Sequence, residues 1–367
     1  MSEKIKHHDN SGNMKPKPVR IDFNTLISTE NKVDLSDIIE NAFGLDGFGG
    51  IIVTNAPNFR KIREKALSNI YNLSQEPKEV LAAITKSDLS TLHEVGWHER
   101  KMNSAFGKSS KKFVSFFSRY PVETVIFPQD PCFERENENI WPMTIPRFKE
   151  DLIKLNMLLT PALLGLLRHF DKHLSGKIDN YKQDKFTDSF FDHYGHQNRL
   201  IAYSPLDEFE SDIEDQYNWD NWHTDFGLMG TVTHPIYFTK QGEIYELDST
   251  AYSLKDRHGQ EHEGVFSEDE FMITAGDAMF IESAGYIPAT PHTVKISPEI
   301  PRNIYRTQSV SFFEPQMNYR MDIPTGESFE EIIERDPSKY DHRGIDEFKD
   351  GCYYKEFIDD LLEFLYK

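Results

Sequence analysis

The sequence predicts a mainly β protein with flanking helices, in which a β sandwich or barrel follows a helical first half. Leucines at helical spacing fill 144–175, and apolar residues at helical spacing return in 328–367. Between them, short runs rich in Val, Ile, Tyr, Phe and Thr alternate with Gly, Pro and Asp, which is typical of all-β sandwiches and barrels. These strand-like runs lie at 199–204, 230–239, 243–248, 271–282, 292–297 and 304–313.

The chain divides into four segments. We expect a disordered tail at 1–18, a mixed helical region at 19–185, the β core at 186–320 and C-terminal helices at 321–367. The mixed region begins with a strand-like pattern at 18–23. A Gly-rich turn then leads into a buried strand at 51–53, and a helix follows at 59–82. The stretch 87–125 has weak periodicity and predicts an irregular surface segment.

Composition excludes several classes of partner. Lys and Arg number 41 and Asp and Glu 61 in 367 residues, so the formal net charge is −20. This acidic balance disfavours nucleic acid and anionic membranes, and favours a neutral or cationic substrate. No apolar run is long enough for a transmembrane helix, and the first residues do not resemble a secretory signal. Cys132 and Cys352 are too few for a disulfide framework or a zinc–sulfur site, so we expect a cytoplasmic protein. The oligomeric state is left open.

One short pattern predicts two neighbouring metal ligands. Pairs of His and Asp two residues apart occur at His7/Asp9, His169/Asp171 and His223/Asp225. The first lies in the predicted tail, and the second lies in a helical pattern, where residues two apart point in nearly opposite directions. Only the third opens a strand-like segment, where alternate side chains point the same way. Taken alone, it is more simply interpreted as a hydrogen-bonded surface pair.

His292 is the candidate third ligand. It begins another strand-like run 67 residues after Asp225, which leaves room for several strands and a return of the chain. Two His and one carboxylate with open positions form the arrangement of non-haem Fe(II) oxygenases. Zinc also uses such ligands, so the residue types alone leave the metal open.

Arg306 lies near the start of a strand-like run that ends in aromatic residues. An arginine buried there would need an anionic partner, and a guanidinium suits a carboxylate. A small dicarboxylate next to the metal would supply one. The alternative is an arginine on an edge strand, in contact with solvent.

Together these motifs resemble the isopenicillin N synthase-like branch of the 2-oxoglutarate- and Fe(II)-dependent dioxygenases. The resemblance extends from about residue 18 to residue 316. Its strongest parts are His223-Thr224-Asp225-Phe226-Gly227, Gly276-Asp277-Ala278-Met279-Phe280, the segment from Gly285 to His292, and the segment from Arg306 to Pro315.

The resemblance implies a double-stranded β-helix (jelly-roll) core and an oxidoreductase with Fe(II) on His223, Asp225 and His292. It also implies that Arg306 binds the distal carboxylate of the cosubstrate 2-oxoglutarate, with Tyr203 donating a hydrogen bond to the same molecule. The expected reaction is the oxidation, commonly the hydroxylation, of a small molecule by O2, with release of succinate and CO2. For Tyr203, a plain core position on a strand is the alternative.

Two positions depart from the family pattern. The family commonly has Ser where this chain has Gln308, which can still donate a hydrogen bond to the cosubstrate. Five residues after the metal-binding Asp the family often has Thr, and this chain has Gly230. The segment between the last two ligands also contains a long polar insert at 253–264.

The substrate is not identified by the sequence. We expect Trp97, Trp222 and Phe226 to line an apolar pocket, and 87–125 and 253–264 to be lids or binding loops. Solvent-exposed loops without a role are the alternative for both segments. Two other functions remain open, namely a non-catalytic jelly-roll protein that binds a metal or ligand, and a zinc hydrolase on a similar barrel.

Overall fold

The structure is a computed structural model that describes residues 17–29, 33–85, 95–104, 107–119, 139–191, 196–208, 218–296, 298–336 and 348–366. Nearly all of the predicted tail lies outside the described residues, as do Cys132 and the parts of 87–125 that flank and separate two strands. The domain boundaries given above stay predictions.

Nine α-helices and one short 3-10 helix (Leu206–Glu208) are found in the described residues. The α-helices are α1 (Phe23–Ile27), α2 (Ser36–Phe43), α3 (Phe59–Ser74), α4 (Lys78–Ala83), α5 (Phe148–Ser175), α6 (Lys185–Phe191), α7 (Asp277–Glu282), α8 (Phe329–Arg335) and α9 (Tyr354–Tyr366). No helix in this part of the chain combines the length and the apolar character that crossing a membrane requires.

The described strands number fourteen. They are β1 (Val19–Asp22), β2 (Gly50–Thr54), β3 (Gly96–Ser104), β4 (Gly107–Arg119), β5 (Gln197–Tyr203), β6 (Asn218–His223), β7 (Met229–Thr233), β8 (Ile236–Phe238), β9 (Ile244–Tyr245), β10 (Tyr252–Lys255), β11 (Glu261–Glu263), β12 (Phe271–Ala275), β13 (His292–Lys295) and β14 (Tyr305–Phe313).

Two sheets form the β core, which confirms the predicted mainly β fold with a jelly-roll core. The major sheet has the order β1-β2-β12-β7-β14-β5-β4-β3, with β8 and β9 beside β14, and the minor sheet has the order β11-β10-β13-β6. Only β1 and β2 pair in parallel among the described strands. Residues of both sheets line one cavity, so the sheets face each other across it.

The helices cover the outer face of the major sheet. Leucines of α5 such as Leu155, Leu159 and Leu163 are fully buried in the main hydrophobic cluster, together with residues of α1, α3 and the sheet. Asp171 at the end of α5 accepts hydrogen bonds from Tyr181, from the Phe186 amide and from the amide and hydroxyl of Thr187. These bonds fix the start of α6, so Asp171 has a structural role.

Three sequence-based expectations for local structure are wrong. Within 87–125, the described residues form the antiparallel hairpin β3–β4 rather than an irregular segment. Within 253–264, β10 and β11 form a hairpin, whose turn is held by Asp256 accepting from the amides of His258 and Gln260. The run 271–282 is a strand only to Ala275, because α7 follows Gly276.

The pairing of β6 with β13 is irregular. His292 lies opposite His223, and Val294 lies opposite Asp220, so three residue steps on β6 match two on β13. Such a β-bulge changes which side chains of the bulged strand share a face. Asp220 therefore faces the cavity together with His223, although a regular strand would turn residues three apart to opposite faces.

Candidate metal centre and cavity

His223, Asp225 and His292 converge at one point between the two sheets. His223 ends β6 and His292 begins β13 directly opposite it, while Asp225 follows β6 by two residues. Asp225 Oδ1 lies 4.0 Å from His223 Nε2 and 3.9 Å from His292 Nε2. One ligand atom from each residue lies within 4.8 Å of the others, so the three side chains could hold one metal ion.

Backbone carbonyls fix which imidazole nitrogen faces the centre. His223 Nδ1 donates to the Asn221 carbonyl at 2.7 Å, and His292 Nδ1 donates to the Thr290 carbonyl at 3.0 Å. Because a carbonyl oxygen only accepts, each Nδ1 carries the proton and each Nε2 keeps a free lone pair. Such a hydrogen bond on the distal nitrogen is what metal-binding histidines usually have.

The start of α7 holds the Asp225 segment in place. The amide of Asp277 donates to the Asp225 carbonyl at 2.8 Å, and the Thr224 hydroxyl donates to the Asp277 carboxylate at 3.0 Å. A Cβ atom on Gly230 would lie 2.8 Å from Asp225 Oδ2. Gly230 therefore leaves the space that the Asp225 carboxylate occupies, which gives this departure from the family pattern a physical reason.

Three acidic side chains lie around the centre, of which Glu314 is buried and Asp220 and Asp225 are partly buried. Burial lowers the pKa of His223, but Asp220 and Asp225 outweigh it, so the net shift is upward. Burial and the neighbouring His223 lower the pKa of His292. Burial, and then Asp225, raise the pKa of Glu314 to about 8. Asp220 and Asp225 make the centre favourable for a cation, whereas Glu314 is largely protonated at neutral pH.

Arg306 is fully buried on β14, opposite Tyr203 on β5. Its Nη2 donates to the Thr250 carbonyl and to Gln308 Oε1, each at 2.9 Å, and its guanidinium carbon lies 5.0 Å from the centre of the Tyr203 ring. Its Nε and Nη1 are buried and have no hydrogen-bond partner among the described residues. The alternative of an edge-strand arginine in solvent is therefore excluded.

Gln308 and Tyr203 both line the cavity, in different roles. Gln308 accepts from Arg306 and donates from Nε2 to the Thr233 carbonyl at 2.9 Å, so it orients the guanidinium. Tyr203 is 2 % exposed, and burial raises its pKa to about 12. Its hydroxyl therefore stays protonated at neutral pH and is able to donate a hydrogen bond.

One cavity joins the metal ligands to Tyr203 and Gln308. The space amounts to about 480 Å3, counting the part that opens to solvent. Its apolar wall comes from Ile201, Val232, Val294, Val310 and Phe312. Three further residues, Arg199, Asp220 and Tyr252, line the cavity although no motif predicted them. For Arg199 a signal was present, because it shares the strand parity of Tyr203.

The predicted substrate residues lie elsewhere. Trp97 on β3 is 2 % exposed in the main hydrophobic cluster, on the helix-covered face of the major sheet. Trp222 lies beneath the ammonium groups of Lys255 and Lys295, at 4.6 and 5.6 Å from its ring centre. Phe226 packs against the main cluster. None of the three is among the described residues that line the cavity, so this expectation is corrected.

Comparisons with known proteins agree with this geometry. No family model and no curated protein matches the sequence. Among solved structures, full-length Neurospora crassa T7H in complex with alpha-KG has a TM-score of 0.63 and 17 % identity, over 94 % of this chain and 95 % of that one. A putative 2OG-Fe(II) oxygenase family protein from Caulobacter crescentus has a TM-score of 0.64 and 14 % identity, over 94 % and 98 %.

A third solved structure, JOX2 with 2OG, Fe and JA, has a TM-score of 0.59 and 14 % identity, over 94 % of this chain and 88 % of that one. The chain has the fold of the 2-oxoglutarate/Fe(II) oxygenases. At these identities the likeness establishes the fold, and the chemistry depends on the side chains present.

The side chains present fit Fe(II) and 2-oxoglutarate, the two groups that such oxygenases use. Two imidazole Nε2 atoms and one carboxylate form the donor set of a non-haem Fe(II) site with open positions. The buried, unpartnered Nε and Nη1 of Arg306 in the described structure match a carboxylate bound through two hydrogen bonds. His223, Asp225 and His292 thus offer the donors for a metal ion, and Arg306 on the major sheet offers those for a carboxylate.

Proposed function

We propose that this protein is a 2-oxoglutarate- and Fe(II)-dependent dioxygenase that oxidises a small molecule. The observation that carries the proposal is the pairing of His223, Asp225 and His292 with the two unpartnered donors of Arg306. A buried arginine with unsatisfied N–H groups is costly unless an anion completes it. A metal-binding 2-oxoacid with a second carboxylate meets both requirements.

Each residue has a defined role in this proposal. His223, Asp225 and His292 hold Fe(II), and Arg306 receives the distal carboxylate of 2-oxoglutarate. Gln308 and the Thr250 carbonyl hold the remaining face of the guanidinium. Tyr203 donates to the same carboxylate, and the apolar wall limits access of water. When bound, Fe(II), 2-oxoglutarate and O2 supply oxidation of a C–H bond, with succinate and CO2 as co-products.

The finer parts of the proposal rest on the sequence. Membership of the isopenicillin N synthase-like branch follows from the motifs, and a cytoplasmic location follows from the cysteine content. Small-molecule substrates suit the neighbours, since T7H structures contain thymine or 5-formyluracil and the JOX2 structure contains JA. A zinc hydrolase would leave the two free donors of Arg306 without a role.

The test is metal and cosubstrate binding followed by turnover. Fe(II) titrated anaerobically into the apoprotein should bind one ion per chain, and 2-oxoglutarate should bind only after Fe(II). With O2, the loaded protein should release succinate. His223→Ala is the matched negative variant, and His262→Ala is the control, because His262 lies outside the centre and bonds to Asp256.

Three outcomes separate the alternatives. Binding of Fe(II) and 2-oxoglutarate without any succinate would support the non-catalytic binding protein. A strict preference for Zn(II) with no cosubstrate binding would support the hydrolase. Equal Fe(II) binding by the wild type and by His223→Ala would refute the site itself.

A further inference from the structure

The two carboxylate oxygens of Asp225 have different surroundings. Oδ1 lies 4.0 Å from His223 Nε2 and 3.9 Å from His292 Nε2, so it faces the candidate metal centre. Oδ2 lies 2.8 Å from the point that a Cβ atom on Gly230 would occupy, so it faces the major sheet. A carboxylate can bind a metal ion through one oxygen or through both. Binding through both would occupy a position on the ion that 2-oxoglutarate or O2 needs.

Thr274 brings a hydroxyl to the side of Asp225 on which Oδ2 lies. It lies opposite Gly230 in the pairing of β12 with β7, and both residues line the cavity. Its Oγ1 lies 3.7 Å from the same point that a Cβ atom on Gly230 would occupy. A side chain at position 230 would therefore lie against both the hydroxyl and the carboxylate. Glycine leaves that space to the two groups.

Tyr252, the first residue of β10, brings a second hydroxyl from the minor sheet. It lines the cavity, and its buried ring stacks on that of His292, with the ring centres 5.4 Å apart and 28° between the planes. Burial, and then the charge of Asp225, raise the pKa of Tyr252 well above its usual value, while a hydrogen bond with the Thr274 side chain lowers it. The hydroxyl therefore stays protonated at neutral pH and can donate.

Gly264 and Thr250 fix the place of the Tyr252 ring. A Cβ atom on Gly264 would lie 2.6 Å from Tyr252 Cδ1, so glycine leaves room for the ring. The Gly264 amide donates to the Tyr252 carbonyl at 2.8 Å. The Thr250 hydroxyl donates to the Gly264 carbonyl at 2.8 Å and accepts from the Tyr252 amide at 3.2 Å. These contacts do not involve the phenol oxygen, so a phenylalanine at position 252 would keep the same place.

We propose that Thr274 and Tyr252 are positioning residues whose hydroxyls hold Asp225 Oδ2 away from the metal, so that the carboxylate binds it through Oδ1 alone. Thr274 donates to Oδ2, and Tyr252 donates to Thr274 Oγ1, so the two hydroxyls form one chain of donors. The ion then keeps one more open position than it would with both carboxylate oxygens bound. This inference rests on the proposed function, because it needs a metal on His223, Asp225 and His292.

Mn(II) is the probe, since water molecules bound to this ion speed the relaxation of water protons and can be counted by it. Thr274→Val should carry one bound water fewer than the wild type, because Oδ2 then takes a position on the ion. The Kd of 2-oxoglutarate for the Mn(II)-loaded variant should rise about tenfold or more, as is common when a residue that supports a metal ligand is replaced. Tyr252→Phe should raise this Kd in the same direction but less, because Thr274 remains.

Two further variants are the controls. Thr274→Ser keeps the hydroxyl, so it should restore the wild-type number of waters and the wild-type affinity for 2-oxoglutarate. Tyr71→Phe removes the hydroxyl of another buried tyrosine, which donates to the Thr239 carbonyl at 3.3 Å outside the centre. It should leave both quantities as they are in the wild type.

The outcomes distinguish this inference from the proposed function. If neither Mn(II) nor Fe(II) binds the wild type, the proposed metal site itself fails. If the wild type binds the metal and 2-oxoglutarate, an unchanged number of waters in Thr274→Val overturns the inference, as does an unchanged Kd of 2-oxoglutarate in Tyr252→Phe. Weaker metal binding with the number of waters unchanged would leave the hydroxyls a structural role only, which also overturns it. Equal changes in Tyr71→Phe would do the same.

Discussion

Replacing Arg306 with lysine should weaken the binding of 2-oxoglutarate far more than it weakens the fold. Lysine keeps the positive charge, but it loses the planar fork that places Nε and Nη1 towards one carboxylate. Those two nitrogens are the buried donors that lack partners in the described structure. The substitution therefore removes one of the two contacts that these nitrogens would make with the cosubstrate.

The size of the effect follows from these two donors. A hydrogen bond to a charged group contributes about 1.5–3 kcal/mol, so two contribute about 3–6 kcal/mol. With tenfold per 1.4 kcal/mol, complete loss raises Kd by a factor of about 10^2 to 10^4. Lysine retains one contact, and loss of the other at the upper end of this range, about 3 kcal/mol, raises Kd about 100-fold for Arg306→Lys, with a larger factor for Arg306→Met.

Denaturant unfolding of the metal-loaded protein measures this change. At a 2-oxoglutarate concentration of about 100 times the wild-type Kd, the ligand should add about 2.7 kcal/mol to the free energy of unfolding of the wild type. It should add only about 0.4 kcal/mol to that of Arg306→Lys. Arg257→Lys is the matched control, because Arg257 is equally buried but pairs with Asp336 at 3.0 Å. An equal gain for wild type and Arg306→Lys, or loss of the gain in Arg257→Lys, would refute the reasoning.

The other predictions concern the metal ligands and two buried residues. His223→Ala, Asp225→Ala and His292→Ala should each abolish stoichiometric Fe(II) binding in calorimetry while the circular dichroism spectrum persists. Fe(II) binding by the wild type should weaken as the pH falls from about 8 to 5, since protons compete for the imidazoles and the pKa of His223 is raised; binding that is constant over this range would contradict the assignment. Trp97→Ala should lower the free energy of unfolding by about 3–5 kcal/mol, with 2-oxoglutarate binding unaltered. Asp171→Ala should lower it by about 3 kcal/mol, since several hydrogen bonds are lost, and should retain Fe(II) binding.

The grouping of His223, Asp225 and His292 was predictable because its signals are local. A His-x-Asp pair at a strand and a His at the start of another strand specify both the residue types and their approximate placement. The structure brings these three side chains together. The burial of Arg306 was left open by the sequence, because the strand pattern around it also fits an edge strand in contact with solvent, and the structure decides it.

The substrate wall was not predictable by the same means. Trp97 was chosen for its aromatic ring in a segment assigned no regular structure. Once β3 pairs with β4, strand parity places Trp97 opposite Phe116, which lies beside the buried Leu200, away from the cavity. Its neighbour His98 follows the parity of Ser115 and of the cavity residue Ile201. Because successive side chains of a strand point to opposite faces, a one-residue error in the assumed alternation assigns a residue of the hydrophobic core to the cavity face.

The irregular pairing of β6 and β13 allows the charge of the cavity wall to change while the positions of the candidate metal ligands stay the same. Movement of the extra residue along β6 would turn the amide of Asn221, rather than the carboxylate of Asp220, towards the cavity. His223 would keep its place opposite His292. A change in strand register could thus alter the charge of the cavity wall without replacing a candidate metal ligand. A scaffold of this kind could acquire a different ligand preference while its metal ligands stay in place.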